Sequence, residues 1–497
     1  MNGKKWKAGY LIVMMAICLL PLVGKLWTED VSKENRELKE WPTIRMEDGS
    51  VNKEYLSEMG AYFEDHFAFR QQMATANAKI KFTVFEMSPV DGVIVGRNGW
   101  LYYKDSLEDY QGTSLLSERG IYNLARAFRL MQDYAWEKGA KFCLAIAPNK
   151  NTLYGSNMPY YYQYIVNEQH NLFLLTEELE KQGVTYADLY QILQAEDAVL
   201  YHAKDSHWDN RGARLAADGI LKKLDVIMRE YGNCEVRTDK IGDLETMLFP
   251  GNERAEEEYY YEAPFTYRYV KEIESTFDPE IYTEQEDGNG NLLMFRDSFG
   301  NALLPYIAEE FETAKFTRAL PYRLDEIAFS GADTVILERA ERFLPDMARE
   351  APVFPAPIVE QWQQGGEQME LSQETADQGV NLQKKMAQLT ETQSLVNCSM
   401  EEDGFYLRFF GEIAPEYADK GLMDPDSGIY LNLNSEVLFE ATPVIGEMES
   451  DYGFAAYIEK ERLEDSAFSI GIFVKCNGEF TEIAKFDFTY DAEEYDE

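Results

Sequence analysis

The sequence predicts an α/β domain built on a parallel sheet with helices on both faces, followed by an all-β sandwich and preceded by one membrane-spanning helix. Three observations predict it. Between residues 93 and 338 short apolar runs alternate with segments of helical periodicity, the pattern of a sheet covered on both sides. Beyond Leu395 the helical periodicity gives way to short alternating runs separated by turn residues. Before all of this, an uncharged apolar run from Ala8 to Gly24 follows Lys4, Lys5 and Lys7.

Trp6 and Trp27 bracket the apolar run about 31 Å apart as a helix, which is one bilayer crossing with an aromatic belt. The basic cluster before it, and Glu29 and Asp30 after it, place the N-terminus in the cytoplasm and the rest outside. No convincing small-x-small cleavage site follows, so residues 1–27 read as an uncleaved signal-anchor of a single-pass membrane protein, with a cleaved signal peptide as the alternative. Residues 28–90 read as a stalk and a leading amphipathic helix from Tyr55 to Ile80.

Residues 91–357 carry the α/β pattern. VIVGRNGWLYY (93–103) places Asn98-Gly99 between two apolar runs, a hairpin signal. A helix over 117–139 leads to the strand KFCLAIAP, and a second helix near 167–182 leads to VTYADL. The short strand VLYH runs into KDSHWDN, after which RGARLAADGILKKLDVIMREY reads as a helix. NLLMF leads into RDSFG and the helix NALLPYIAEEF, and DTVILE (333–338) is the last strand. Residues 358–393 are a polar linker that few contacts should cross, and 394–491 form the sandwich.

Charge and cysteines exclude several classes. Lys and Arg number 47 against 89 Asp and Glu, a net −42 that repels phosphate backbones, so no nucleic-acid partner is expected. Aromatic content of 13% argues for packed structure over disorder. The cysteines, Cys18, Cys143, Cys234, Cys398 and Cys476, show no CxxC spacing and form no metal site, and only Cys398 and Cys476 are placed to pair. No metal and no cofactor is expected.

The chain has four histidines, and one of them, His207, stands two residues after Asp205 and just ahead of a helix. An aspartate there can hold the imidazole in one tautomer and stabilise its protonated form. The matching nucleophile candidate is Ser298 in FRDSFGN, between a strand and a helix where free N–H groups can bind an oxyanion. Each residue also has a plainer reading. Ser298 or Asp297 alone is most often a helix N-cap, His207 alone a hydrogen-bonded structural residue, and Asp205, His207 and Asp209 together can imitate a metal site. Convergence of both segments on the carboxyl edge of one sheet favours the triad.

The D-S-H-W block with R-G-A after it resembles the D-x-H-W…G-A block of the DHHW family and of the AlgX/AlgJ-like polysaccharide O-acetyltransferases, which carry an SGNH-hydrolase-like domain. Four further blocks fit in order: EDHFAFR (64–70), GRNGWLYY (96–103), APNKNTLYG (147–155) and RDSFG (296–300). The resemblance covers residues 55–345 and implies an SGNH-hydrolase-like fold with Ser298 as nucleophile, His207 as base and Asp205 as its orienter. The glycine usual before Asp-Ser is Arg296 here, so the oxyanion donors are open: the Ser298 amide, with Asn149, Lys150 or Tyr154 as side-chain candidates. Trp208 either packs the loop beneath His207 or meets sugar, and the tyrosines of PYYYQY either stack on sugar or form a surface loop.

The function so implied is an extracytoplasmic O-acetyltransferase. It moves acetyl groups onto hydroxyls of an exopolysaccharide or wall glycan through an acetyl-serine, supplied by a membrane-bound acyltransferase partner. A carbohydrate acetyl esterase with the same triad and a non-catalytic surface glycan-binding protein are the alternatives. The terminal sandwich either binds carbohydrate or spaces the enzyme.

Overall fold

The computed structural model describes residues 87–360 and 396–490, apart from 252, 263, 416–426, 449, 464, 477 and 478, together with 39–46, 50–66 and scattered positions before 87. The Ala8–Gly24 run lies almost wholly outside these residues. Among the described residues no helix is long and apolar enough to cross a membrane.

Helix α1 (Tyr55–His66) ends before Phe69, whose φ of 64° interrupts the single helix to Ile80 that the periodicity predicts; the described residues 73, 76, 77 and 79–82 are helical again. The hairpin β1 (Val93–Val95) and β2 (Leu101–Tyr103) forms as read, pairing Val93 with Tyr103. Its turn places Asn98 and Gly99 at φ 57° and 79°, the two left-handed positions that an Asn-Gly hairpin supplies. Helix α2 (Glu118–Glu137) starts where the Ser117 side chain accepts from the Gly120 amide.

Strand β3 (Lys141–Ala147), the short helix α3 (Lys150–Tyr154), helix α4 (Asn171–Gln182) and the two-residue strand β4 (Tyr186–Ala187) follow. VLYH contributes only an isolated bridge, Tyr201 to Trp208, and not a strand. Helix α5 (Asn210–Lys223) is capped by Asp209 and stops short of Tyr231, because Leu224 leaves helical geometry and Asp225 takes φ 57°. An antiparallel pair that the sequence reading missed comes next: β5 (Cys234–Lys240) and β6 (Glu256–Tyr261), enclosing helix α6 (Asp243–Leu248).

The remaining strands of the domain are β7 (Arg268–Tyr269), β8 (Glu280–Glu284), β9 (Asn291–Phe295), β10 (Thr313–Thr317) and β11 (Thr334–Ala340), with helix α7 (Gly300–Ala308) after β9. The sheet order is β4-β3-β11-β9-β10-β8-β7. The first five strands pair in parallel, but β8 and β7 pair antiparallel, so the expected parallel sheet is mixed at one edge. That edge is reached by short connections, which suit antiparallel pairing and leave no room for a crossover helix.

Alternation along β3 divides two cores. Phe142, Leu144 and Ile146 face helices α2 and α4, whereas Cys143, Ala145 and Ala147 face α5 and α7. All parallel strands end at the same edge, which carries the turns after β3, β9 and β11.

The C-terminal region is a sandwich of two antiparallel sheets. One holds β12 (Val396–Asp403), β13 (Tyr406–Ile413), β17 (Gly453–Glu459) and β16 (Thr442–Val444). The other holds β15 (Val437–Glu440), β14 (Ile429–Leu433), β18 (Ala467–Cys476) and β19 (Glu479–Thr489). Cys398 is a free thiol, so the one pairing the cysteine positions left open, with Cys476, does not form.

The expectation that few contacts join the two regions is also corrected. Ile445 is buried within the core around α2, its amide donates to the Ala348 carbonyl, and Asn123 Nδ2 donates to the Asp451 carbonyl at 2.7 Å. Residues 356–359 are bonded to the sandwich as well, through Ala356 N–H to Tyr457 O and Val359 N–H to Leu438 O.

Candidate active site

The Asp205–Trp208 loop is shaped by its neighbours before it does any chemistry. Asp209 accepts from the Arg211 and Gly212 amides at 2.8 and 3.0 Å and pairs with Arg211, so it is a helix cap and not a third ligand beside Asp205 and His207. Gly212 lets α5 approach closely, since a Cβ there would sit 2.7 Å from the Leu200 carbonyl. From β6, Glu256 accepts from the Ala203 and Lys204 amides at 2.8 and 3.0 Å. Gly242 presses on the loop backbone, where a Cβ would lie 2.2 Å from the Lys204 carbonyl oxygen.

Within that frame the three sequence-predicted residues meet. His207 Nδ1 lies 2.7 Å from Asp205 Oδ1, and His207 Nε2 lies 2.8 Å from Ser298 Oγ. The spacing of two does not act through extended backbone. The His207 amide also donates to Asp205 Oδ1 at 3.0 Å, closing a tight side-chain turn. Asp205 Oδ2 takes the Asp243 amide at 3.2 Å and the Lys240 ammonium at 3.3 Å. Asp243 stands 3.7 Å from His207 Nδ1 and is linked to it through Ser206, whose hydroxyl donates to Asp243 Oδ2. Lys240 and Asp243 come from the hairpin and helix that the sequence reading missed. Their own segments carry no motif that would have flagged them.

Electrostatics fit a base held by a carboxylate. Burial alone would raise the Asp205 carboxyl, but the charge and hydrogen bond of His207, with Lys240, hold it well below the usual carboxylate range. Burial would lower His207, yet Asp205 and then Asp243 outweigh it and leave the imidazole above its ordinary value.

Ser298 follows β9, and its turn is clamped by its own Asp297 and from β11. Asp297 Oδ1 accepts from the Phe299 amide at 2.8 Å and Oδ2 from the Ala340 amide at 2.9 Å, while Glu338 Oε2 accepts from the Asp297 amide at 3.1 Å. Glu338 is fully buried, and burial together with the adjacent Asp297 charge pushes its carboxyl well up. The Ser298 amide makes no hydrogen bond among the described residues and remains free to donate.

The side-chain candidates for a second donor are engaged elsewhere. Asn149 donates its amide to Glu341 Oε2 and its Nδ2 to Asp109 Oδ2. Lys150 donates to the carbonyls of Leu101, Ala203 and Asp205 at 2.6, 2.9 and 2.9 Å. Burial pushes the Lys150 ammonium down to about 7, but only the charged form has three donors for three carbonyls, so it acts as a clamp on the Asp205 loop. The Tyr154 hydroxyl takes the Leu200 amide at 3.0 Å, and Arg296 donates to Asn301 and to the Asp278 carbonyl. Trp208 is 2% exposed and packs edge-on against Phe299 at 4.9 Å, which is the packing reading and not the sugar one. Tyr160 and Tyr164 are exposed.

Residues 93–278 match the family model for the SGNH hydrolase-like domain of acetyltransferase AlgX. The AlgX-like region includes Asp205 and His207 and ends before Ser298, so Ser298 joins the site through the geometry. Three solved structures are similar to the chain. A DHHW family protein from Eubacterium siraeum shares 18% identity at a TM-score of 0.39, covering 51% of this chain and 92% of its own. The O-acetyltransferase domain of Pseudomonas putida AlgJ shares 17% at 0.34, covering 51% and 92%. Pseudomonas aeruginosa AlgX shares 12% at 0.34, covering 78% and 90%. At these scores the structural likenesses carry no argument of their own. No curated protein matched the chain.

Proposed function

We propose that the chain is an O-acetyltransferase that passes an acetyl group through Ser298 to a glycan hydroxyl. The observation that carries this reading is the continuous relay from Asp205 through His207 to Ser298 Oγ, at 2.7 and 2.8 Å, in a chain whose AlgX-like region holds two of the three residues. His207 Nε2 takes the Ser298 hydroxyl proton as Oγ attacks the acetyl carbonyl, and returns it to the departing donor group. The acetyl-serine then meets an acceptor hydroxyl, whose proton passes to His207 as the new ester forms and finally back to Ser298 Oγ.

The acceptor is proposed to be an exopolysaccharide or wall glycan, and the donor a membrane-bound acyltransferase partner that carries acetyl groups across the bilayer. The apolar N-terminal run supports a single-pass anchor with the site outside the cell. The test incubates the purified protein with an activated acetyl ester, with and without candidate glycans, and looks for acetyl-Ser298 by mass spectrometry. Ser298→Ala and His207→Ala should each abolish turnover, with losses on the order of 10⁴-fold that do not add in the double mutant. Turnover that no glycan intercepts makes the protein an esterase, and absence of acetyl-Ser298 removes the covalent mechanism.

A further inference from the structure

Arg342, just beyond the end of β11, is an arginine that the triad reading does not use. Many of the described arginines have a carboxylate against them, among them Arg126, Arg211, Arg229, Arg254 and Arg323. Arg342 does not. Its guanidinium lies over the rings of Phe343, Tyr103 and Phe299 at 4.8, 5.4 and 5.6 Å, and its Nε is buried without a hydrogen-bond partner. Such stacking fixes a guanidinium in place while leaving its N–H groups unspent.

The shared ring locates it at the reaction centre. Phe299 follows the nucleophile directly in sequence, and its ring centroid is 4.7 Å from that of His207 and 5.6 Å from Arg342 Cζ. The two side chains therefore rest on one ring, and the positive charge of Arg342 opposes protonation of His207. The Ser298 amide supplies one donor for an oxyanion, whereas Asn149 and Lys150 donate elsewhere and Arg296 spends its Nη groups on Asn301 and the Asp278 carbonyl, leaving only a buried Nε.

We infer that Arg342 is the second, charged donor of the oxyanion site and binds the acetyl carbonyl oxygen as it becomes negative. A stacked cation without a counter-ion has most to gain from a charge that appears only in the transition state. An anionic group on the acceptor is the weaker candidate ligand, since Asp243 flanks the same histidine and the chain carries a net −42. This assignment rests on the acyl-transfer reading of Ser298.

The test compares Arg342→Gln and Arg342→Lys with the unaltered protein on p-nitrophenyl acetate and on methylboronic acid, whose tetrahedral anionic adduct with Ser298 imitates the intermediate without any acetyl chemistry. Arg342→Gln should lower kcat on the order of 10²-fold with little change in KM, and weaken the boronate to a comparable degree. Arg342→Lys, which keeps the charge but not the planar fork, should fall between. The acid limb of the pH–rate profile should move up in Arg342→Gln, because the positive charge that opposes protonation of His207 is gone. Equal boronate affinity in the unaltered protein and Arg342→Gln overturns the assignment, as does a loss confined to KM for an anionic glycan. A fall matched by Arg342→Lys and accompanied by a lower melting temperature also overturns it, by making Arg342 a packing residue. If the unaltered protein binds the boronate but turns over no acetyl ester, the acetyl-transfer reading fails while the oxyanion assignment is still decided by the boronate.

Discussion

Arg126 on α2 and Glu440 at the end of β15 form a two-pronged ion pair, with Nε–Oε1 at 2.8 Å and Nη2–Oε2 at 2.7 Å, across the join between the α/β domain and the sandwich. Both side chains are largely buried, so the pair is more than a surface contact. Glu440→Ala should cost about 1–3 kcal/mol of stability in urea denaturation, because it leaves a partly buried guanidinium unpaired. Removing residues 396–490 should cost far more by uncovering the α2 core that holds Ile445. A truncated chain with an unchanged melting temperature would show that the join is not structural.

Gly242→Ala is expected to disable the site from outside the triad. Gly242 has an ordinary φ of −76°, so the constraint is space: a Cβ would lie 2.2 Å from the Lys204 carbonyl oxygen and 2.9 Å from the Asp205 amide nitrogen. Backbone atoms cannot swing aside as a flexible side chain can. The Asp205 loop must shift, and esterase turnover should fall at least 10²-fold, since triad geometry tolerates little displacement. Gly232→Ala, with nothing within 4 Å of its added Cβ, is the control that should change neither turnover nor melting temperature.

Glu338 should tolerate glutamine better than alanine. A carboxamide can accept from the Asp297 amide as the Glu338 carboxyl does, and it adds no charge to a buried site where burial and Asp297 already push that carboxyl up. Alanine leaves the buried Asp297 amide without an acceptor, at about 1–3 kcal/mol, and loosens the turn that aims Ser298. Melting temperature and kcat measured together check this: Glu338→Gln near the unaltered protein in both, Glu338→Ala reduced in both.

The pH dependence has a definite sign. His207 must be neutral to accept the serine proton, and it is held above its ordinary value by Asp205 and Asp243 against the effect of burial. Turnover should therefore fall as pH drops, with a midpoint above about 6.5, and Asp205→Asn should move that midpoint down while lowering kcat on the order of 10⁴-fold. For folding, the raised imidazole contributes stability that is present below the unfolded histidine value and lost as pH rises through the folded one. The depressed Asp205 carboxyl contributes stability present above the unfolded aspartate value and lost as pH falls through the folded one. Denaturation midpoints against pH, compared with His207→Ala, read both limbs.

How much was legible in sequence depended on the range of the interaction. Asp205, His207 and Ser298 stood out because each lies in a short block whose residue types have few other reasons to occur together at a strand end. The hairpin turn at Asn98-Gly99 is local too, set by two adjacent residues. Apolar runs between helices announced the sheet, but could not tell parallel from antiparallel for β7 and β8, because pairing direction depends on how the connection travels and not on the strand itself.

The sequence by itself determined the order of an α/β region followed by a β region, and the candidate triad, both of which follow from periodicity and from chemistry carried within a few residues. Only the tertiary structure decided which donors are free at Ser298, that Lys240 and Asp243 stand behind Asp205, that Lys150 is a clamp, and that the sandwich completes the α2 core. Those outcomes depend on residues far apart in the chain competing for the same hydrogen bonds and the same buried space, and no local pattern records which competitor wins.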